Sequence, residues 1–300
     1  MNEPAFSQIV RRLFPDADIA SVASLTGGVS ADVYRIELKS PDDGGGDLVL
    51  RVHGESHSGH TAALEYRLLQ SLFRLGLPVP EPLRVDETGG ILGSPYLVMA
   101  YVAGSSKIPD DSASHYIRQM ADLLHRIHAL PIDSLPGLPS RTNPLPEVLD
   151  YLPATPEWEE LRSYLIQLPN TAYTGTPRLL HGDFWPENLL WQDGTIASIL
   201  DWEDAAIGDP LSDVACCRLE LRYKFGTAGM DEFTRQYMQG KAVDTQRLAL
   251  WQVYVAAAAL RFMGDWGLAQ DLLDHMRGEA LACVRESARV LLSPVGDRAS

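Results

Sequence analysis

Near Gly104 the apolar residues of this chain change their spacing from the period of two that suits strands to the 3.6 that suits helices, and this switch limits the fold most. Before it, SVASLTGGVS, ADVYRIEL and DLVLRVH, between about residues 20 and 53, read as three antiparallel strands, the last two joined by the loop PDDGGGD. From Thr61 to Leu75 the leucines 64, 68, 72 and 75 share one helical face until LGLPVPEP breaks the pattern. Pro82 to Val85 and Tyr96 to Val102, flanking the turn Glu87 to Gly90, complete a five-stranded sheet carrying one helix.

After the switch, Ile117, Met120, Leu124 and Ile127 mark a helix behind a capping region at Asp110 to Ser112. A Pro-rich meander is expected over 131–157, and helices over Leu161 to Leu168 and from Leu211, Asp231, Asp244 and Trp266 onward. Thr245 to Met263 is apolar around most of its circumference and reads as a core helix. The expectation is an α+β, two-lobed chain, with a small antiparallel-sheet lobe at 1–102 and a mainly helical lobe at 103–300, joined near Val102 to Ser106.

A formal charge of -15 and an isoelectric point near 4.9 argue against a nucleic-acid partner, which needs clustered Lys and Arg. They fit a neutral or cationic one, and they also keep a protein soluble. Cys216, Cys217 and Cys283 form neither a paired framework nor a CxxC motif, so disulfides and zinc are not expected and a reducing cytoplasm is. No segment reads as a targeting signal or a membrane span, and no pattern sets an oligomeric state.

The chemistry is concentrated in Leu179 to Ala215, where every charged residue apart from His181 is acidic. Phosphoryl transfer needs a carboxylate to take or orient the hydroxyl proton, and oxygen ligands for Mg2+ on the triphosphate. Asp183, Asn188 and Asp201 supply those groups. Leu189 to Trp191, QDGT and Ile196 to Leu200 read as a hairpin with Asn188 and Asp201 at its two ends, so both can ligate one hard cation while Asp183 points at an acceptor hydroxyl. Upstream, Gly27, Gly28 and Ser30 lie between two strands, where they make either a turn covering phosphates or a plain hairpin turn.

The pattern H-G-D-x-x-x-x-N at His181 to Asn188, followed by an apolar strand and Asp201-Trp202, resembles the aminoglycoside phosphotransferase and choline kinase-like family, which has a protein-kinase-like fold. Four fixed positions match by chance in about one chain in a thousand of this length. The resemblance implies ATP or GTP with Mg2+, Asp183 as catalytic base, Asn188 and Asp201 as metal ligands, and His181 and Gly182 as the start of the catalytic loop. It further implies that Arg51 stands where the family usually has a phosphate-binding Lys, with Glu65 as its partner. The backbone of Ala100 and Val102 would contact adenine, with Met99 lining the pocket behind it. Gly208-Asp209-Pro210 and Asp213 read first as a helix start, with Asp209 as cap and Pro210 as first helical residue, and in the family such an aspartate also braces the catalytic loop.

The expected activity is transfer of a γ-phosphoryl group to a small-molecule hydroxyl, the acidic site favouring an aminoglycoside or related amino-sugar over choline, homoserine, macrolides or plain sugars. A pseudokinase-like nucleotide binder is the rival, suggested by Arg51 and by the lack of a G-x-G-x-x-G turn. A protein kinase ranks third, because no long activation segment or A-P-E follows Asp201.

Overall fold

Strand β3 (Leu48–His53), buried along most of its length, is the middle of a five-stranded antiparallel sheet ordered β1-β2-β3-β5-β4. The other four strands are β1 (Ile19–Leu25), β2 (Ala31–Leu38), β4 (Pro82–Asp86) and β5 (Tyr96–Ala100), of which β2 and β5 flank β3. This computed structural model describes residues 3–25, 31–39, 46–54, 59–108, 112–240 and 242–293. The register sets Arg51 opposite Val33 on one side and Leu97 on the other. The five strands are those expected, except that β5 stops at Ala100, two residues before Val102.

The sheet carries two helices rather than one. Helix α1 (Glu3–Leu13) buries Phe6, Ile9 and Val10 against Ile36, Leu38, Leu48, Leu50, Tyr96 and Val98. The sequence expectation missed it because its apolar positions, spaced i, i+3 and i+4, fill barely three turns before Pro15. Burying such side chains, at about 1.5–3 kcal/mol each, holds a helix too short to form alone. Helix α2 (Ala62–Arg74) begins where expected: the Thr61 hydroxyl accepts from Leu64 N at 3.3 Å, and Leu68, Leu69 and Leu72 are buried.

The described chain divides into two units, residues 1–106 with 133–137 and 189–204, and residues 107–132 with 138–188 and 205–300. The division expected at Val102 to Ser106 therefore leaves out two later pieces, 133–137 and 189–204. The hairpin of β8 (Leu189–Gln192) and β9 (Thr195–Ile199) belongs with the sheet unit because Ser105 N donates to Trp191 O (2.9 Å) and Ile199 N to Pro78 O (2.7 Å). Its turn is the expected Asp193-Gly194, both at positive φ (50° and 75°), as a tight two-residue hairpin requires.

The second unit is built on α3 (Ala113–His128), α4 (Glu147–Tyr151), α5 (Glu159–Gln167), α6 (Leu211–Met238), α7 (Thr245–Phe262) and α8 (Gln270–Leu292). Its core gathers α7 and α8 with Trp158, Leu161, Val148 and Leu219, so Trp158 is a core residue. The expected meander contains α4 and one short strand, and α8 starts at Gln270 rather than Trp266. No separate helix starts at Asp231: the break falls at Gly226 (φ 66°), inside the long run labelled α6. Ser112 ends the chain into α3 without a side-chain cap, and Asp110 and Asp111 lie outside the described residues. Three short strands, β6 (Ser140–Arg141), β7 (Arg178–Leu180) and β10 (Ala206–Gly208), pair in the order β6-β10-β7 and deliver the functional loop, because His181 follows β7 and Asp209 follows β10. Among the described residues no helix is long and apolar enough to cross a membrane.

Candidate active site

In the helical unit, the chain leaving β7 is suspended from one carboxylate. His181 N donates to Asp213 Oδ2 at 2.7 Å and Gly182 N to Asp213 Oδ1 at 3.0 Å. His128 Nε2, at the end of α3, lies 3.1 Å from the same Oδ2, and its Nδ1 lies 2.7 Å from the Tyr237 hydroxyl. Asp213 is wholly buried. Burial alone would raise its pKa, but the hydrogen bond and charge of His128, with His181, hold it below the usual carboxylate range. Its place in the first turn of α6 is therefore the lesser part of its role, and the loop-bracing one dominates. Asp209 does cap, Oδ1 accepting from Leu211 N at 3.0 Å, and the helix is counted from Leu211, one residue later than expected.

Gly182 adopts φ 91°, a conformation that favours glycine, while its carbonyl accepts from Arg141 Nη1 at 2.8 Å. The next residue, Asp183, donates its N–H to His181 Nδ1 at 3.3 Å. A turn at Pro186–Asn188 brings the chain back, and Asn188 Nδ2 donates both to Asp183 O (2.9 Å) and to Asp183 Oδ2 (3.0 Å). Cys216 Sγ lies 3.8 Å from Asp183 Oδ1. The Asp183 carboxylate is thus fixed at both oxygens. One turn along α6 from Cys216, the Glu220 carboxyl is pushed up to about 8 by burial and by the charges of Asp183 and Glu187.

In the sheet unit, Arg51 meets three carboxylates. Its Nε lies 3.7 Å from Glu65 Oε2, its Nη1 3.0 Å from Asp201 Oδ1, and its Nη2 is paired with Glu203. Arg51, Glu65 and Glu203 are largely buried. Burial opposes the guanidinium charge, but Glu65, Asp201 and Glu203 together raise the Arg51 pKa. His53 Nε2 adds a contact to Glu65 Oε2 at 3.2 Å. The expected Arg51–Glu65 pairing is therefore present, as the longest of three. Asp201 sits at φ 58°, a left-handed conformation uncommon for a residue with a side chain.

In the helical unit the Asn188 amide nitrogen is committed to Asp183, which leaves its oxygen for another partner; in the sheet unit Asp201 Oδ1 faces Arg51, which leaves Oδ2. Leu189 pairs with Ile199, so the chain enters the hairpin directly after Asn188 and leaves it two residues before Asp201. Among the described residues no group of three or more His, Cys, Asp or Glu side chains is set to hold a metal unaided.

Ala100 N donates to Glu81 O at 2.9 Å, and Val102 lies in the connection after β5. Gly28 and Ser30 lie outside the described residues. Trp202 is core, and Trp185 is half-buried. Three residues the sequence reading did not single out belong to these arrangements. His128 ends a helix face without any motif, Glu203 follows Asp201-Trp202 among other acids, and Cys216 was noted only as an unpaired cysteine.

Residues 21–251 match the model of the family described as the phosphotransferase enzyme family. The chain is 30% identical over 241 residues to acyl-CoA dehydrogenase family member 10 of Mus musculus, an alignment covering 68% of this chain and 22% of the relative. It is 27% identical over 261 residues to an aminoglycoside 3'-phosphotransferase of Streptomyces fradiae, covering 78% and 89%. A crystal structure from Ralstonia eutropha, described as a candidate aminoglycoside phosphotransferase, superposes with a TM-score of 0.70 at 16% identity over 96% of this chain and 98% of that one. The chain spans less than a third of the acyl-CoA dehydrogenase relatives, 22% of one and 31% of another. The fold is α+β and protein-kinase-like.

Proposed function

Because this chain belongs to the phosphotransferase enzyme family, we propose that it transfers the γ-phosphoryl group of ATP, or of GTP, to a hydroxyl of a small molecule with Asp183 as general base. The observation that carries this reading is the Asp183 carboxylate, turned by Asn188 at 3.0 Å on a loop that Asp213 suspends. A general base must be held where it can meet the proton it abstracts, and a carboxylate gripped this way has few orientations to lose. Asp183 takes the acceptor's hydroxyl proton as the oxygen attacks the γ-phosphorus, and the bond from that phosphorus to the bridging oxygen breaks to release the nucleoside diphosphate.

The sheet unit serves the nucleotide. Arg51, oriented by Glu65, faces its phosphates; Gly28 and Ser30 cover them; Ala100, through its carbonyl, and Val102 contact the base. Asn188 and Asp201 hold Mg2+, which, when bound, draws charge from the β- and γ-phosphates. The division into a nucleotide-binding lobe at 1–102 and a catalytic, acceptor-binding lobe at 103–300 follows the same reading, with the 189–204 hairpin going to the first.

For the acceptor, an amino-sugar hydroxyl is favoured. Burial and the charges of Asp183 and Glu187 keep the Glu220 carboxyl protonated, and a cationic acceptor complements the negative charge of those two residues. The Streptomyces fradiae relative is named for an aminoglycoside acceptor, while a Polaromonas naphthalenivorans relative, 25% identical over 250 residues, is named a homoserine kinase.

The test is nucleotide turnover against a panel of aminoglycosides, choline, homoserine, sugars and macrolides. Asp183→Ala lowers turnover with the preferred acceptor by roughly 10^2 to 10^4 while nucleotide binding persists. Unchanged turnover refutes the assignment, and nucleotide binding without turnover on every acceptor points instead to a pseudokinase-like module.

A further inference from the structure

One guanidinium surrounded by three carboxylates is an unusual way to build a phosphate-binding cation. Glu65, from α2, aligns Arg51 from one side, and Asp201 takes one arm of the fork at 3.0 Å. Glu203 takes the other arm. The guanidinium's planar fork sets its two terminal nitrogens on separate partners, Nη1 on Asp201 and Nη2 on Glu203.

Two further observations fix Glu203 in place independently of that pairing. Its carbonyl accepts from His60 N at 3.0 Å, tying the segment after Asp201 to the connection that leads into α2. Gly59 packs so closely on it that an added Cβ would lie 2.6 Å from the Glu203 Cβ and 3.0 Å from its carbonyl oxygen. The glutamate is thus wedged between β3 and the α2 connection and held at largely buried depth. There a like charge is poorly screened.

Resting on the nucleotide reading above, we infer that Glu203 is a positioning residue that makes triphosphate binding conditional on a divalent cation. It occupies the arm of Arg51 that a phosphate oxygen would otherwise take, and among the described residues it adds a third carboxylate, beside Glu65 and Asp201, around that guanidinium. A metal-free triphosphate meets this charge directly. A magnesium complex brings cationic charge to Asp201, weakens its hold on Arg51, and turns the guanidinium toward phosphate. The role is electrostatic and acts through Arg51; Glu203 itself touches no reacting atom.

The experiment is direct binding of ATP to the full chain by calorimetry, once in excess Mg2+ and once in EDTA, for wild type, Glu203→Gln and Glu203→Asp. Wild type binds at least ten-fold more tightly with Mg2+. Glu203→Gln keeps shape and hydrogen bonding without charge, so its affinity in EDTA rises about ten-fold, the order expected for removing one like charge at a poorly screened site, while its affinity in Mg2+ changes less than three-fold. Glu203→Asp keeps the charge and the wild-type ratio. Melting without nucleotide confirms that each variant is folded. An unchanged Mg2+-to-EDTA ratio in Glu203→Gln, or equal losses in both conditions, overturns the inference while leaving the nucleotide reading intact. Absence of wild-type binding in either condition overturns both.

Discussion

Replacing Asp213 by Asn removes one formal charge and almost no volume, yet three buried donors converge on that carboxylate: His181 N at 2.7 Å, Gly182 N at 3.0 Å and His128 Nε2 at 3.1 Å. An amide has one oxygen. If it faces His181 and His128, its NH2 points at the Gly182 N–H; if flipped, two donors lose their acceptor instead. Either way a buried donor opposes a donor, and the charge that balanced His128 is gone. Breaking a buried, hydrogen-bonded pair from one side costs about 3–5 kcal/mol, and hydrogen bonds to a charged acceptor contribute about 1.5–3 kcal/mol each. The expected outcome for Asp213→Asn is a loss of about 3–5 kcal/mol in urea unfolding followed by circular dichroism. Turnover should fall even at temperatures where the variant is folded, because His181 and Gly182 carry Asp183. The acid side follows from the depressed pKa. Stability from Asp213 is full above the ordinary carboxylate range and disappears as pH falls through its lowered value, so the two proteins should converge in stability at strongly acidic pH. A variant within about 0.5 kcal/mol of wild type at neutral pH, the scatter of ordinary surface substitutions, would refute the suspension of the loop from Asp213.

Glu220 carries the opposite sign. Its folded pKa is raised from 4.5 to about 8, so the folded state holds a proton that the unfolded chain has lost, and stability falls as pH climbs between those values. Glu220→Gln should flatten that fall, and parallel urea midpoints for the two proteins across this window would count against it. Asp201→Ala should abolish the part of nucleotide affinity that depends on Mg2+, and a surviving dependence would place the cation elsewhere. Gly208→Ala should destabilise by about 3 kcal/mol, because an added Cβ runs into the Arg141 carbonyl across β10 and β6; a wild-type urea midpoint would show that this strand pair can part.

Period and punctuation made most of the fold legible. The five strands, α2, α3 and α7 announce themselves through apolar spacing, and Asp193-Gly194 marks a turn by residue type alone. Misreadings fell where tertiary contacts decide. Helix α1 depends on the sheet surface it covers. Gly226 interrupts a run whose apolar pattern is weak, so the second helical segment was expected five residues late, at Asp231. The short strands β6, β7 and β10, two or three residues each, carry too little pattern to be read, although they aim His181 and Asp209.

The site divides along the same line. Asp183, Asn188 and Asp201 were singled out from local spacing alone, and the Asn188 to Asp183 bond lies within a single turn. His128 and Glu203 were not, because each acquires its role from a partner far along the chain: 85 residues separate His128 from Asp213, and 152 separate Arg51 from Glu203. Arg51 is instructive on this point. Taken alone it is a departure from the Lys the family pattern favours, and it suggested weakened nucleotide binding. Beside Glu203 it has a different meaning, since the two arms of its fork are divided between Asp201 and Glu203. A substitution at one position thus cannot be interpreted until the residue that faces it is known, and here that residue is a glutamate that no motif identifies.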